Sequence, residues 1–223
     1  MLEIAELTSA WAHGWATSRG RPAPIPIAGG LRIDLGPPDK PARYVLHTHD
    51  PEMVARLGHG LTAPGTEIKA VGNPEALSTA LAHDWTMYPP CDLMTSTFAQ
   101  AEVDLTAPYT ARIDNDGGAL LGLIFDADGD IASSARLAPF GRYGIIDQVC
   151  TRPPHRRRGL GSSLMAMLGN QAVGLSLSTG VLAATDNGRA LYRTLGWTTR
   201  GELAGAFRSP APAERGATRP AGS

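Results

Sequence analysis

At 223 residues the chain has room for one large domain or two small ones, and for a sizeable core. A hydrophobic fraction of 43% with 18% charged residues excludes wholesale disorder, and 20 basic against 21 acidic side chains speak against a dedicated nucleic-acid binder. The best apolar run, Ala119–Phe125, falls far short of the ~18 residues of a membrane helix. Glu3 and Glu6, with no early Lys or Arg, are unlike a secretory signal, and Cys91 and Cys150 make no C-x-x-C and no disulfide framework. These features read as a cytoplasmic protein with neither nucleic acid nor membrane as partner. Lys40 and Lys69 are the only lysines, so no Gly-Lys pair exists and no P-loop can form.

In chain order, Ile4, Leu7, Trp11 and Trp15 recur at helical spacing, with Gly14 and Gly20 closing the pattern. A Pro-rich connector, Arg21–Pro26, follows. Leu31–Leu35 and Tyr44–His49 read as short strands about a Gly36-Pro37-Pro38-Asp39 turn. Pro51–Leu61 carries a helical stripe, Thr66–Val71 is strand-like, and Asn73-Pro74 opens a helix continued by Leu77 and Leu81. Trp85–Tyr88 then runs into Pro89-Pro90, the strongest boundary in the chain.

Beyond it, Tyr109–Ile113, Ala119–Phe125, Ile131–Leu137 and Arg142–Thr151 form four strands with short turns between them, an antiparallel meander. A helix at about Ser162–Val173, a strand at Gly180–Ala184, a helix at Gly188–Leu195 and a strand pair near Trp197–Arg200 and Leu203–Phe207 complete the pattern. The tail from Ser209 to Ser223 has nothing to bury and is expected to be disordered. The class is α+β, with two lobes.

The segment from Asp147 through Arg156-Arg157-Arg158-Gly159-Leu160-Gly161-Ser162 carries the chemistry. A strand ends, a Pro-Pro turn follows, and a Gly-bearing loop enters a helix. Gly159 and Gly161 allow close backbone approach, and the helix start offers unpaired amides and a dipole that favours an anion. Three arginines add neutralising charge. The dinucleotide fingerprint G-x-G-x-x-G fails at Leu164, and the strands before the loop are a meander rather than a βαβ unit.

Strand, R-x-x-G-x-G and helix together resemble the acetyl-CoA loop of the GNAT acyltransferase superfamily. Downstream, Asn187-Gly188-Arg189-Ala190-Leu191-Tyr192-Arg193-Thr194-Leu195-Gly196-Trp197 is similar to that family's second element, with Ala190, Leu191 and Tyr192 contiguous here. The resemblance covers roughly Tyr109–Phe207. It implies a mixed, mostly antiparallel sheet with flanking helices, and an acyl-CoA-dependent N-acyltransferase with acetyl-CoA as co-substrate and no metal. In such a protein Val149, Cys150 and Thr151 lie on the strand that splays from its neighbour, and the Val149 amide faces the thioester carbonyl. Arg156, Arg157, Arg158, Gly159, Leu160, Gly161 and Ser162 hold the pyrophosphate, Asn187 contacts the pantetheine arm, and Tyr192 protonates the leaving thiolate. The motif leaves the general base open. Period-2 alternation puts Asp147 on the same strand face as Val149 and makes it the candidate.

Competing uses exist for these residues: Asn187 suits a helix cap, Tyr192 a core aromatic, and Cys150 buried filler. His47-Thr48-His49-Asp50 could begin a metal site, but the H-x-H-x-D-H pattern breaks at Pro51 and Glu52. The family usually places two helices between its first two strands, whereas only a turn separates Tyr109–Ile113 from Ala119–Phe125. The missing substrate wall is expected from the amino-terminal helices at 2–15 and 51–61. Lys69–Leu77 echoes Ala183–Leu191, which makes the first part of the chain a degenerate copy without a phosphate loop. The expected division is an α/β lobe at 1–95, the acetyltransferase domain at 96–208 and the tail at 209–223. The function implied is direct acetyl transfer to a small-molecule or protein amine, in a monomer or homodimer. A non-catalytic acyl-CoA-binding or regulatory protein on the same fold is the alternative.

Overall fold

Short apolar runs broken by Gly- and Pro-bearing turns assemble into one twelve-stranded mixed sheet with helices on both faces. The computed structural model describes residues 3–36 and 41–209. The tail expected to be disordered lies outside them, apart from Ser209, as does most of the 36–39 turn.

The carboxy-terminal half begins with the expected meander: β7 (Thr110–Asp116), β8 (Ala119–Phe125), β9 (Ile131–Phe140) and β10 (Tyr143–Thr151). Gly117 and Gly118 join β7 to β8 with φ +60 and +91, the left-handed pair that a two-residue hairpin needs. Helix α4 (Leu160–Gly174) returns the chain to β11 (Thr179–Ala184), parallel to β10; α5 (Asp186–Thr194) and β12 (Thr198–Arg208) follow. The expected final strand pair is a single strand, because a bulge between Thr199 and Gly201 absorbs the break in alternation.

The amino-terminal half runs from α1 (Ile4–Ser18) through β1 (Ile25–Ile27), β2 (Gly30–Asp34) and β3 (Ala42–Leu46), then α2 (Pro51–Gly60) and β4 (Glu67–Val71). Short α3 (Pro74–Ala80), β5 (Trp85–Met87) and β6 (Cys91–Thr97) complete it. Sequence reading missed β6. It inserts between β11 and β12, antiparallel to both, so the sheet crosses the Pro89-Pro90 punctuation without a break.

Helix α1 does not stop at Gly14. Its α-carbon packs so closely on β10 that a Cβ there would lie 2.3 Å from the Cβ of Ile145. Leu7, Ala10, Trp11, Trp15 and Ser18 are all buried, because α1 touches β9, β10 and β11 on one side and β2 and β3 on the other. The sheet wraps around it. Helix α2 lies on the other face with α3, over Leu46, Ile68, Leu77 and Ala204, and so does not join α1 as a wall. Helix α4 covers that second face under the meander, burying Leu164 and Leu168 completely, each worth about 1.5–3 kcal/mol.

Candidate active site

The β10–β11 ladder pairs only Tyr143–Ile145 with Thr179–Val181. Past Ile145, β10 stays with β9 and β11 stays with β6, so the two parallel strands part into a cleft between backbones. Gln148 marks the opening. Its φ of +54 and the register shift between Asp147 and Cys150 form a bulge that takes Gln148 and Val149 out of regular pairing.

The bulge overturns the expectation that Asp147 and Val149 share a face. Asp147 points to the α1 side, where it accepts from Ser18 Oγ at 2.7 Å, Arg19 Nε at 2.9 Å and Arg19 Nη2 at 3.2 Å. Val149 packs against the opposite core, beneath α4. Gln148 Nε2 donates to the Ser18 carbonyl at 3.0 Å, so the end of α1 is fastened to the bulge at both residues. Cys150, expected as buried filler, is exposed, because the strand edge it occupies has left its neighbour.

From Thr151 the chain turns through Pro153–His155 into the arginine loop, where Arg156 donates back to the Thr151 carbonyl at 3.1 Å. Arg157 at φ +61 and Gly159 at φ +79 take left-handed backbone on either side of Arg158. Gly159 is the N-cap of α4, without a side-chain cap and without an acidic residue in the first turn. The amides of Leu160, Gly161 and Ser162 thus enter the helix unpaired, under the positive end of its dipole and beside three exposed guanidinium groups. A Cβ at Gly159 would meet nothing within 4 Å, so the space in front of this turn is open. Gly161 instead lets α4 approach α5, its Cβ direction ending 3.0 Å from Leu191.

A network that sequence reading missed braces the loop. Arg158 Nη1 donates to the Tyr109 hydroxyl at 3.1 Å, that hydroxyl lies 3.0 Å from His155 Nδ1, and His155 Nε2 lies 3.3 Å from Asp126 Oδ2. Only the position of His155 directly before the arginines hinted at it.

Across the cleft, Thr185 is the N-cap of α5. Asn187 is exposed in the first turn and does not serve as that cap. Tyr192 is 8% exposed, its ring 6.1 Å from that of Trp197 and close above Gly188. Burial, and then the negative charge of Asp147, push its hydroxyl up to about 12. Asp147 and Tyr192 therefore sense each other, although they belong to different elements of the cleft.

The family model described as the acetyltransferase (GNAT) family matches residues 79–197, more than half of the chain. The chain belongs to the GNAT acetyltransferase family. A search of curated proteins found no match. Among solved structures, this GNAT chain is similar to a GCN5-related N-acetyltransferase from Kribbella flavida, at 18% identity and a TM-score of 0.68, covering 93% of this chain and 96% of that one. A GCN5-related N-acetyltransferase-like protein from Streptococcus suis aligns over 92% and 97%, at 15% identity and a TM-score of 0.54. A tandem GNAT protein from the clavulanic acid biosynthesis pathway aligns over 82% and 80%, at 12% identity and a TM-score of 0.56. At these identities the likeness is one of fold: a mixed α+β GNAT architecture with a mostly antiparallel sheet. The matched span includes β6, which places that strand with the GNAT sheet despite its position before the meander.

Proposed function

We propose that this GNAT protein transfers an acetyl group from acetyl-CoA directly to an amine in the cleft between β10 and β11. The observation that carries the reading is the coincidence of two features. The parallel ladder ends at Ile145, and the loop leaving the same strand presents unpaired amides and three arginines to open space. The backbone from Arg157 to Ser162 suits a pyrophosphate, and the cleft suits an extended pantetheine arm beside Asn187. Acetyl-CoA supplies an activated thioester. The chain supplies orientation, an oxyanion contact at the Val149 amide, and a hydrogen bond from the Tyr192 hydroxyl to the departing thiolate.

Asp147 is better read as a positioning residue than as the base. Its two oxygens already accept three hydrogen bonds, two of them from one guanidinium, and these hold the carboxylate against the end of α1. The acceptor then loses its proton to water before the N–C bond forms and the C–S bond breaks.

The amino-terminal half supports the degenerate-copy reading. Parallel β3–α2–β4 followed by α3 has the same order as parallel β10–α4–β11 followed by α5. At α2, however, Asp50 caps the amides of Glu52 and Met53, and Glu52 stands in the first turn. A carboxylate already occupies the place of a phosphate, so we assign no CoA to this half. Helix α1 stands as the acceptor wall, in a cytoplasmic enzyme acting on a small-molecule or protein amine. Steady-state release of CoA across an amine panel tests the proposal. Amine-dependent release supports it, and acetyl-CoA binding without release on any amine favours the non-catalytic alternative.

A further inference from the structure

Lys69 on β4 is 9% exposed, yet among the described residues its ammonium makes no hydrogen bond and no ion pair. The side chain lies flat over Gly205 of β12, where a Cβ would come 2.5 Å from Nζ, and the ammonium stands 4.6 Å from the centroid of the Tyr88 ring. Such a group is costly unless something pairs it. Burial lowers its proton affinity, and Arg43 adds to that while Cys91 and Glu67 oppose it.

Its neighbours do not supply the missing anion. Glu67 is committed to Arg43, whose Nε donates to Oε2 at 2.7 Å and whose Nη2 lies 2.5 Å from the same oxygen. Arg43 in turn stacks on Trp15 of α1, 3.7 Å from the ring centroid. One turn further along α1, Arg19 reaches Asp147 at the cleft. Lys69 and Arg43 thus share the α1 face of the sheet with Asp147, joined to it through the end of α1. Against Glu67, the two cations leave an excess of one positive charge.

We propose that this cluster binds the carboxylate of the acceptor, so that the substrate is an amino-acid-type amine rather than a plain amine or polyamine. The inference rests on the acetyl-transfer reading above. An excess of one charge matches a carboxylate, whereas a phosphate group carries nearer two at neutral pH. A polyamine would bring further positive charge to a site that already lacks an anion. The Nη1 edge of Arg43, which makes no hydrogen bond among the described residues, and the Lys69 ammonium would share the carboxylate, and the Trp15 and Tyr88 rings would flank it.

The test uses matched pairs that differ only in the carboxylate: phenylalanine and phenethylamine, histidine and histamine, lysine and cadaverine. Wild-type protein is expected to show kcat/KM higher for the acid by roughly tenfold or more in at least one pair, as expected when a buried charge loses its partner. In Lys69→Met, and in Lys69→Gln should the first variant not fold, that preference should shrink to within about threefold. Equal rates in every pair, or a preference that survives both substitutions, overturns the assignment. If no amine turns over, acetyl transfer itself has failed, and the cluster is tested by binding alone. Thermal shift with the N-acetylated forms of the same pairs, in the presence of CoA, should then show acid-selective stabilisation that Lys69→Met removes. Equal or absent stabilisation overturns the carboxylate site.

Discussion

Replacing Tyr192 with Phe removes one oxygen and leaves the packing on Trp197 and Gly188 in place, so the fold and the acetyl-CoA dissociation constant should hold. The size of the kinetic loss follows from the hydroxyl's environment. A phenol at its ordinary value near 10 would be almost matched to a thiol near ~8.5, and full proton transfer would be easy. At about 12 the hydroxyl is a weaker acid by roughly 3.5 units than the thiol, an uphill step of about 5 kcal/mol. In the proposed reaction Tyr192 would therefore stabilise the thiolate by hydrogen bonding, with protonation left to solvent. A hydrogen bond to a charged group is worth about 1.5–3 kcal/mol, which predicts a fall in kcat of roughly 10- to 150-fold. Because the pKa is raised, the donor stays protonated across about pH 6 to 9, and wild-type kcat should show no falling limb from Tyr192 there. Steady-state kinetics with one accepted amine over that range measure both. A mutant within twofold of wild type would make Tyr192 a packing residue. A loss beyond about a thousandfold would instead indicate complete proton transfer.

Gly159→Asp should abolish acetyl-CoA binding in calorimetry while circular dichroism stays native, since Asp tolerates the left-handed backbone there and its carboxylate enters the open space where phosphate is expected; unchanged affinity would remove the loop from the site. His155→Ala, by releasing the Tyr109 hydroxyl and with it Arg158, should raise the acetyl-CoA KM about 2- to 10-fold at constant kcat, the worth of one hydrogen bond. A fall in kcat alone would place His155 in the chemical step. Gly14→Ala should lower Tm by about 2–12 °C through overpacking on Ile145, with partial recovery in the Gly14→Ala, Ile145→Val double variant. An unchanged Tm would mean that α1 is not seated against β10 as described.

The meander, the glycine turn into α4, and α5 were legible because their signals are local. Gly117-Gly118 dictates a hairpin, and Gly159 before an apolar helical stripe dictates a loop-to-helix turn. What escaped depends on partners distant in sequence. Strand β6 is rich in Ser, Thr and an acid, and it reads as strand only because β11 and β12 flank it and Arg189 lies 2.7 Å from buried Asp92. Gly14 looks like a helix stop until Ile145 is seen filling the space a side chain would take. The bulge at Gln148 carries no Gly to announce it, so alternation put Asp147 on the wrong side of the strand. The partners that hold Asp147, Ser18 and Arg19, lie some 130 residues earlier, so no local pattern could announce them. Lys69 gave only its rarity as a signal, because burial without a counter-charge is a property of the fold.

A crystal structure of the acetyl-CoA complex tests the placement of the cleft most directly. The expected complex has the pyrophosphate on the backbone amides from Arg157 to Ser162, the pantetheine arm between β10 and β11, and the thioester carbonyl at the Val149 amide within reach of Tyr192. Acetyl-CoA bound at the start of α2, or anywhere that leaves the β10–β11 cleft empty, would contradict it.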